Sequence, residues 1–231
     1  MLNFYKLIEI LVSLQSLVIT SMLPVYIPLP FIYKSSNNFE LPITWQIPTI
    51  ILLTLIFHKK VVFRAFSIYI ILGLFILPVF HQGGSLGYLL TPNFGYLLGL
   101  YPLINIIDNL NTRNKINFEN FLKNGFIAIG AMHLTGISYN LIQMLLYSQF
   151  NLFLYDLGKY SLGKIGFHYL MLFPLLIFIK PIEPLKVCLV FSDPRKPNSA
   201  SLLMKGTSIS LPAAFKYMPG TATPAESSPT V

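Results

Sequence analysis

Apolar residues fall in long blocks separated by short polar gaps: Leu7–Ile27, Ile43–Phe57, Val61–Phe80, Tyr88–Ile107, Phe121–Tyr147 and Leu157–Ile179. A helix needs about 20 mostly apolar residues to cross a bilayer. The pattern therefore predicts an all-α polytopic membrane protein, a bundle of six transmembrane helices. The second block is short for a span, and Pro42 and Pro48 disturb its start. Irregular backbone at membrane depth must be buried in protein or line a cavity, which singles out Leu41-Pro42-Ile43-Thr44-Trp45-Gln46. The first block has Lys6 ahead of it but runs long, lacks a small-x-small cleavage site and is followed by further spans. It is expected to be a retained helix and not a signal peptide. From about Ser192 the apolar pattern stops and Pro, Ser, Thr and Ala dominate. The expected division is a transmembrane domain over residues 1–190 and a disordered cytoplasmic tail over 191–231.

Composition agrees with the block pattern. The 231 residues are 54% hydrophobic and only 10% charged, with a mean hydropathy of +0.65. A soluble domain carries roughly 25% charged residues, so this chain cannot cover a water-facing surface. The net charge is +8, but the basic residues sit in the gaps between spans, where they set orientation. They do not form a nucleic-acid face. With six spans, Lys6, Lys59, Lys60, Arg64, Arg113, Lys115, Lys123, Lys180 and Lys186 fall on one side. That places both termini in the cytoplasm of a multi-pass cell-membrane protein. The single cysteine, Cys188, excludes an intrachain disulfide, and the four histidines are scattered. No G-x-x-x-x-G-K-[ST] or H-E-x-x-H sequence is present. Neither a metal nor a cofactor is expected.

Three segments gather on the expected outer side: Trp45-Gln46, the loop His81-Gln82-Gly83-Gly84-Ser85-Leu86-Gly87, and Asp156 with Lys159. A spacing of three puts Asp156 and Lys159 on one helical face. They read either as a pair facing a polar or anionic ligand, or as a snorkelling lysine beside a helix-starting acid. Lys164 reads as an interfacial anchor. His133, Gly136, Asn140, Gln143 and Tyr147 form a single stripe on the fifth helix. For His133, which lies deep, interhelical hydrogen bonding is expected; Asn140, Gln143 and Tyr147 either do the same or line a cavity. Gly95 and Gly99 form a small-xxx-small pair that permits close helix approach. Tyr96 and Trp45 are candidates for contact with a ligand ring, or for the interfacial aromatic belt. Gly83-Gly84-Ser85-Leu86-Gly87 fits G-x-S-x-G, but that motif works on a strand-turn-helix of a soluble α/β fold. A hydrolase reading would need His133 or His168 to reach Ser85.

These segments also resemble a known family. Ile27-Pro28-Leu29-Pro30 and Leu41-Pro42-Ile43-Thr44-Trp45-Gln46, then Leu77-Pro78-Val79-Phe80, Gly83-Gly84 and the stretch Gly87–Gly99, and finally Phe153–Lys159 are similar to motifs of the BioY family. BioY proteins are the biotin-specific substrate-binding (S) components of energy-coupling-factor (ECF) vitamin transporters. The resemblance spans most of residues 7–180. It implies a six-helix S component, not an enzyme, with a biotin pocket near the outer surface. Its implied partners are a membrane coupling protein and two ATPase subunits, which agrees with the missing P-loop. It also implies a ligand site drawn from Trp45, Gln46, Gln82, Gly83, Gly84, Tyr96, Asn140, Gln143, Asp156 and Lys159. The hypothesis for such a site is that Asp156 accepts from the ureido nitrogens and Lys159 attracts the carboxylate, roles that neighbours such as Gln82 or Asn140 could exchange with them. Trp45 and Tyr96 would wall the ring, and the Gly83-Gly84 loop would act as a lid. Thr91 and Asn93-Phe94 depart from the family pattern. No Arg or Lys lies between Phe80 and Ile107, where some members carry a basic residue, which leaves Lys159 as the main expected cation. An S component for another vitamin is the alternative within the same class.

Overall fold

The computed structural model describes residues 4–27, 39–80, 83–113, 118–148 and 150–178. Gln82 and the expected tail, 191–231, lie outside these residues. Helix α1 (Phe4–Met22) is followed by strand β1 (Pro24–Ile27) and strand β2 (Phe39–Thr44). Then come α2 (Gln46–Ile56), α3 (Lys59–Phe75), a 3-10 turn over Leu86–Leu90, α4 (Pro92–Leu98) and α5 (Leu100–Arg113). The long α6 (Phe118–Tyr147) precedes a last helix, Phe150–Phe178. That helix begins as α7 (Phe150–Asp156), widens to a π segment (Leu157–Leu162) and resumes as α8 (Gly163–Leu170).

The chain is mostly helical, and the expectation of an all-α fold is corrected by the two strands. The first apolar run stops being helical at Met22 because Pro24 disfavours the α conformation at Leu23. The Pro-Val-Tyr-Ile stretch that follows pairs antiparallel with β2, Val25 opposite Leu41 and Ile27 opposite Phe39. The pairing then steps from Leu41 to Thr44, so the irregularity falls at Pro42-Ile43. A proline has no amide to donate, and in a two-stranded sheet both strands are edges, so the bulge tolerates it. Val25, Leu41 and Ile43 pack with Met171 and Phe167, which seats the hairpin on the last helix.

Among the described residues, three helices are long and apolar enough to cross a membrane: Phe4–Met22, Phe118–Tyr147 and Phe150–Phe178, of 19, 30 and 29 residues. Their outer faces are greasy; Leu134 and Leu145 on α6 are each 69% exposed. In lipid such faces are satisfied, so the chain is a membrane protein. Helix α2 has only 11 residues, about 16 Å of rise, against a hydrocarbon core of about 30 Å. The hairpin supplies what α2 lacks: the Trp45 amide donates to the Leu23 carbonyl at 3.1 Å, and β2 runs directly into α2.

The fourth helical stretch breaks at Gly99. Pro102 cannot continue an i to i−4 ladder and its ring crowds the Leu98 carbonyl. A side chain on Gly99 would place Cβ 2.5 Å from the Met132 carbonyl oxygen, and one on Gly95 would run into Tyr139. The pair expected to allow close approach therefore does so, against α6. Gly136 reciprocates by making room for the Tyr96 ring.

Candidate functional site

A cavity of ≈ 110 Å³ opens where the hairpin, α4 and the last helix converge. One wall is Ile43 and Thr44 of β2 with Gln46 and Ile47 of α2. A second is Tyr88, Asn93 and Tyr96, backed by Leu97, Leu100 and Met132. The third is Tyr160, Lys164 and His168. The lining is apolar with a few polar groups set into it, the composition of a small-molecule site.

Several buried side-chain polar atoms have no hydrogen-bond partner among the described residues. They are Gln46 Nε2 and the Tyr96 hydroxyl on the lining, and both amide atoms of Asn140 and Nε2 of Gln143 on α6. The Ser161 hydroxyl neighbours that of Tyr96 without closing a hydrogen bond of normal geometry. Asn140 is only 3% exposed. Buried donors and acceptors are nearly always paired, and leaving one unmade costs about 1–3 kcal/mol. An incomplete set at one end of the bundle is what a polar ligand would complete.

His133 behaves as its depth suggested. Its Nδ1 lies 3.1 Å from Ser161 Oγ and its Nε2 lies 3.0 Å from His168 Nδ1. This buried chain ties α6 to the last helix and holds His168 at the cavity. It also removes the hydrolase reading. Both ring nitrogens of His133 are engaged, and His168 spends one of its own on His133. Ser85 sits exposed at the end of α3, its amide donating to the Gly73 carbonyl at 3.1 Å, and does not hydrogen-bond either histidine.

Of the ten residues singled out from the sequence, the cavity brings together Gln46 and Tyr96. Trp45, 39% exposed, sits at the start of α2 and does not line it. Gly83 and Gly84 are held against the end of α3. Gly83 exchanges two 3.0 Å backbone hydrogen bonds with Phe80, and its φ of 125° is a glycine conformation. An added Cβ on Gly84 would meet the Gly73 carbonyl oxygen and Pro78 Cα, each at 2.6 Å. Gln82 lies outside the described residues.

Asp156 and Lys159 do not share a face as their spacing predicts. Asp156 is 8% exposed, whereas Lys159 is exposed and stacks outside, its Nζ 5.6 Å and 5.2 Å from the Tyr155 and Tyr160 ring centroids. The cause is the π segment that starts immediately after Asp156. Its wider turn rotates each residue through less than the ~100° of an α-helix. The charge of Asp156 still reaches both Lys159 and Tyr96. The lining residues not anticipated are Thr44, Tyr88, Asn93, Tyr160, Lys164 and His168. Tyr160, Lys164 and His168 recur every four positions, a spacing that groups them on one face without saying where that face points.

Comparison with known proteins places this arrangement. The chain is 36% identical over 96 residues to a probable biotin transporter BioY of Lysinibacillus sphaericus, a match spanning 40% of this chain and 44% of that relative. It shares its fold with a solved structure, the S-component for biotin from an ECF-type ABC transporter. The TM-score is 0.53 and the identity 16%, over 80% of this chain and 95% of the other. The BioY family model matches residues 4–171, through every segment that builds the cavity, and the chain belongs to the BioY family.

Proposed function

We propose that this protein is the biotin-binding S component of an ECF-type transporter, taking up biotin without catalysing a reaction on it. The observation that carries the reading is the cavity itself. It is walled by the two stretches that most resemble the family, Pro42–Gln46 and Asn93–Tyr96, and carries two buried polar atoms, Gln46 Nε2 and the Tyr96 hydroxyl, without a partner among the described residues. Biotin presents ureido N–H donors and a carbonyl, an apolar thioether ring and a carboxylate. Ile43, Ile47, Leu97 and Met132 suit the ring. Gln46, Tyr96, Asn140 and Asp156 offer donors and acceptors to the ureido group.

Six spans with both termini in the cytoplasm place the cavity outward. Gln46 starts α2, and Lys59, Lys60 and Arg64 follow its opposite end. By the positive-inside rule that basic end faces the cytoplasm. The coupling membrane protein and ATPase subunits of an ECF transporter would supply the energy, in the cell membrane.

Equilibrium binding to the detergent-purified protein tests the reading, with thiamine and riboflavin as controls. Binding of biotin alone is expected. Binding of either other vitamin in its place would assign the chain to a different substrate.

A further inference from the structure

The described residues hold one half-buried cation on the cavity wall, and it is Lys164, not the lysine that sequence spacing singled out. Lys164 extends from α8 with its Nζ 5.1 Å from the Tyr160 ring centroid. Its electrostatic neighbours are His133, His168 and Lys159. No carboxylate among the described residues compensates it. Asp156, the acid nearest in the chain, exerts its charge on Lys159 and Tyr96 instead. A partly desolvated ammonium with only like charge and neutral rings around it is costly unless an anion joins it. Ionisable groups at membrane depth are typically paired and mark ligand paths. Here the place for the pairing anion is the cavity.

His168 adds to the same pole. Its Nδ1 is spent on His133, which leaves Nε2 as its remaining hydrogen-bonding nitrogen on a ring that lines the cavity. When His133 Nε2–H donates to His168 Nδ1, His168 carries its proton on Nε2 and is a donor there. The Ser161 hydroxyl then donates to His133 Nδ1. In that tautomer the buried chain sets a second donor beside the ammonium.

We propose that Lys164, supported by His168, is the specificity-determining residue that recognises the ligand's carboxylate. It does the work that the region between Phe80 and Ile107, which carries no Arg or Lys, cannot do. This rests on the biotin reading above and narrows it to a free carboxylate. Lys159 is exposed, over the rings of Tyr155 and Tyr160, and does not line the cavity.

The test compares biotin with its methyl ester on the purified full chain, in wild type, Lys164→Met, Lys164→Arg and Lys159→Met. The readout is the ratio of the two affinities within each variant, which partial unfolding does not alter. A charged hydrogen bond is worth on the order of 10- to 100-fold in affinity, so wild type should prefer biotin by about that factor. Lys164→Met should bring the ratio close to one, Lys164→Arg should keep a preference, and Lys159→Met should leave it unchanged. A ratio preserved in Lys164→Met, or lost in Lys159→Met, overturns the assignment. Wild type that binds both compounds equally overturns it while sparing the biotin reading. Wild type that binds neither overturns the biotin reading and this assignment with it.

Discussion

Tyr96 has a hydroxyl that is buried and unpaired among the described residues, on a ring packed over Gly136. In the ligand-free protein that hydroxyl contributes nothing to stability and loses its hydration. Tyr96→Phe should therefore leave the empty protein as stable as wild type, or more stable by roughly 1 kcal/mol, while weakening biotin binding. Thermal unfolding with and without biotin separates the two effects. A variant less stable when empty would show that the hydroxyl has a structural partner. The place of Gln46 and Tyr96 on the cavity lining was legible in the sequence because an amide or phenol inside an apolar block needs a reason to be there. Lys164 was not legible in the same way. A lysine near a helix end is ordinarily an anchor at the interface, and which way it points depends on the helical phase that precedes it.

That phase belongs to the helix Phe150–Phe178 as a whole. Its π segment, Leu157–Leu162, carries one wide turn between Asp156 and Lys164. Such single-turn widenings are frequent at functional sites, and this one turns Lys159 outward while bringing Tyr160, Lys164 and His168 to the cavity. Inserting one alanine between Gly163 and Lys164, in the regular α turn beyond that segment, adds a residue that no wide turn absorbs. Everything C-terminal would then turn by about 100°. The expected product keeps its helical circular dichroism but no longer binds biotin; retained binding would show that the cavity wall does not depend on the helical phase at Lys164 and His168. The hairpin is the other element that pattern-reading missed. Pro24-Val25-Tyr26-Ile27 continued an apolar run and was absorbed into it, and the partner that makes it a strand lies 12 or more residues away in β2.

At the scale of the whole molecule, the block pattern and the lysines between blocks imply an orientation that can be measured. In a Cys188→Ser background, a membrane-impermeant maleimide should label Ser148→Cys in intact cells. It should reach Lys60→Cys only after permeabilisation. Equal labelling of both in intact cells would reverse or abolish the expected topology. Membrane residence, helical character and the positions of the apolar blocks follow from the sequence by itself, because lipid demands that each block satisfy its own backbone and because 10% charged residues leave no alternative. The glycine approach of Gly95 and Gly99 to α6 and the interhelical role of His133 were also local enough to read, since small residues and a deep imidazole have few uses in a bundle. Only the tertiary structure decided that β1 and β2 pair, that Asp156 and Lys159 part company, and that Lys164 meets Gln46 and Tyr96 at one cavity. Each of these depends on contacts between segments distant in the chain or on a local change of helical pitch, and neither leaves a periodic trace in the order of residues.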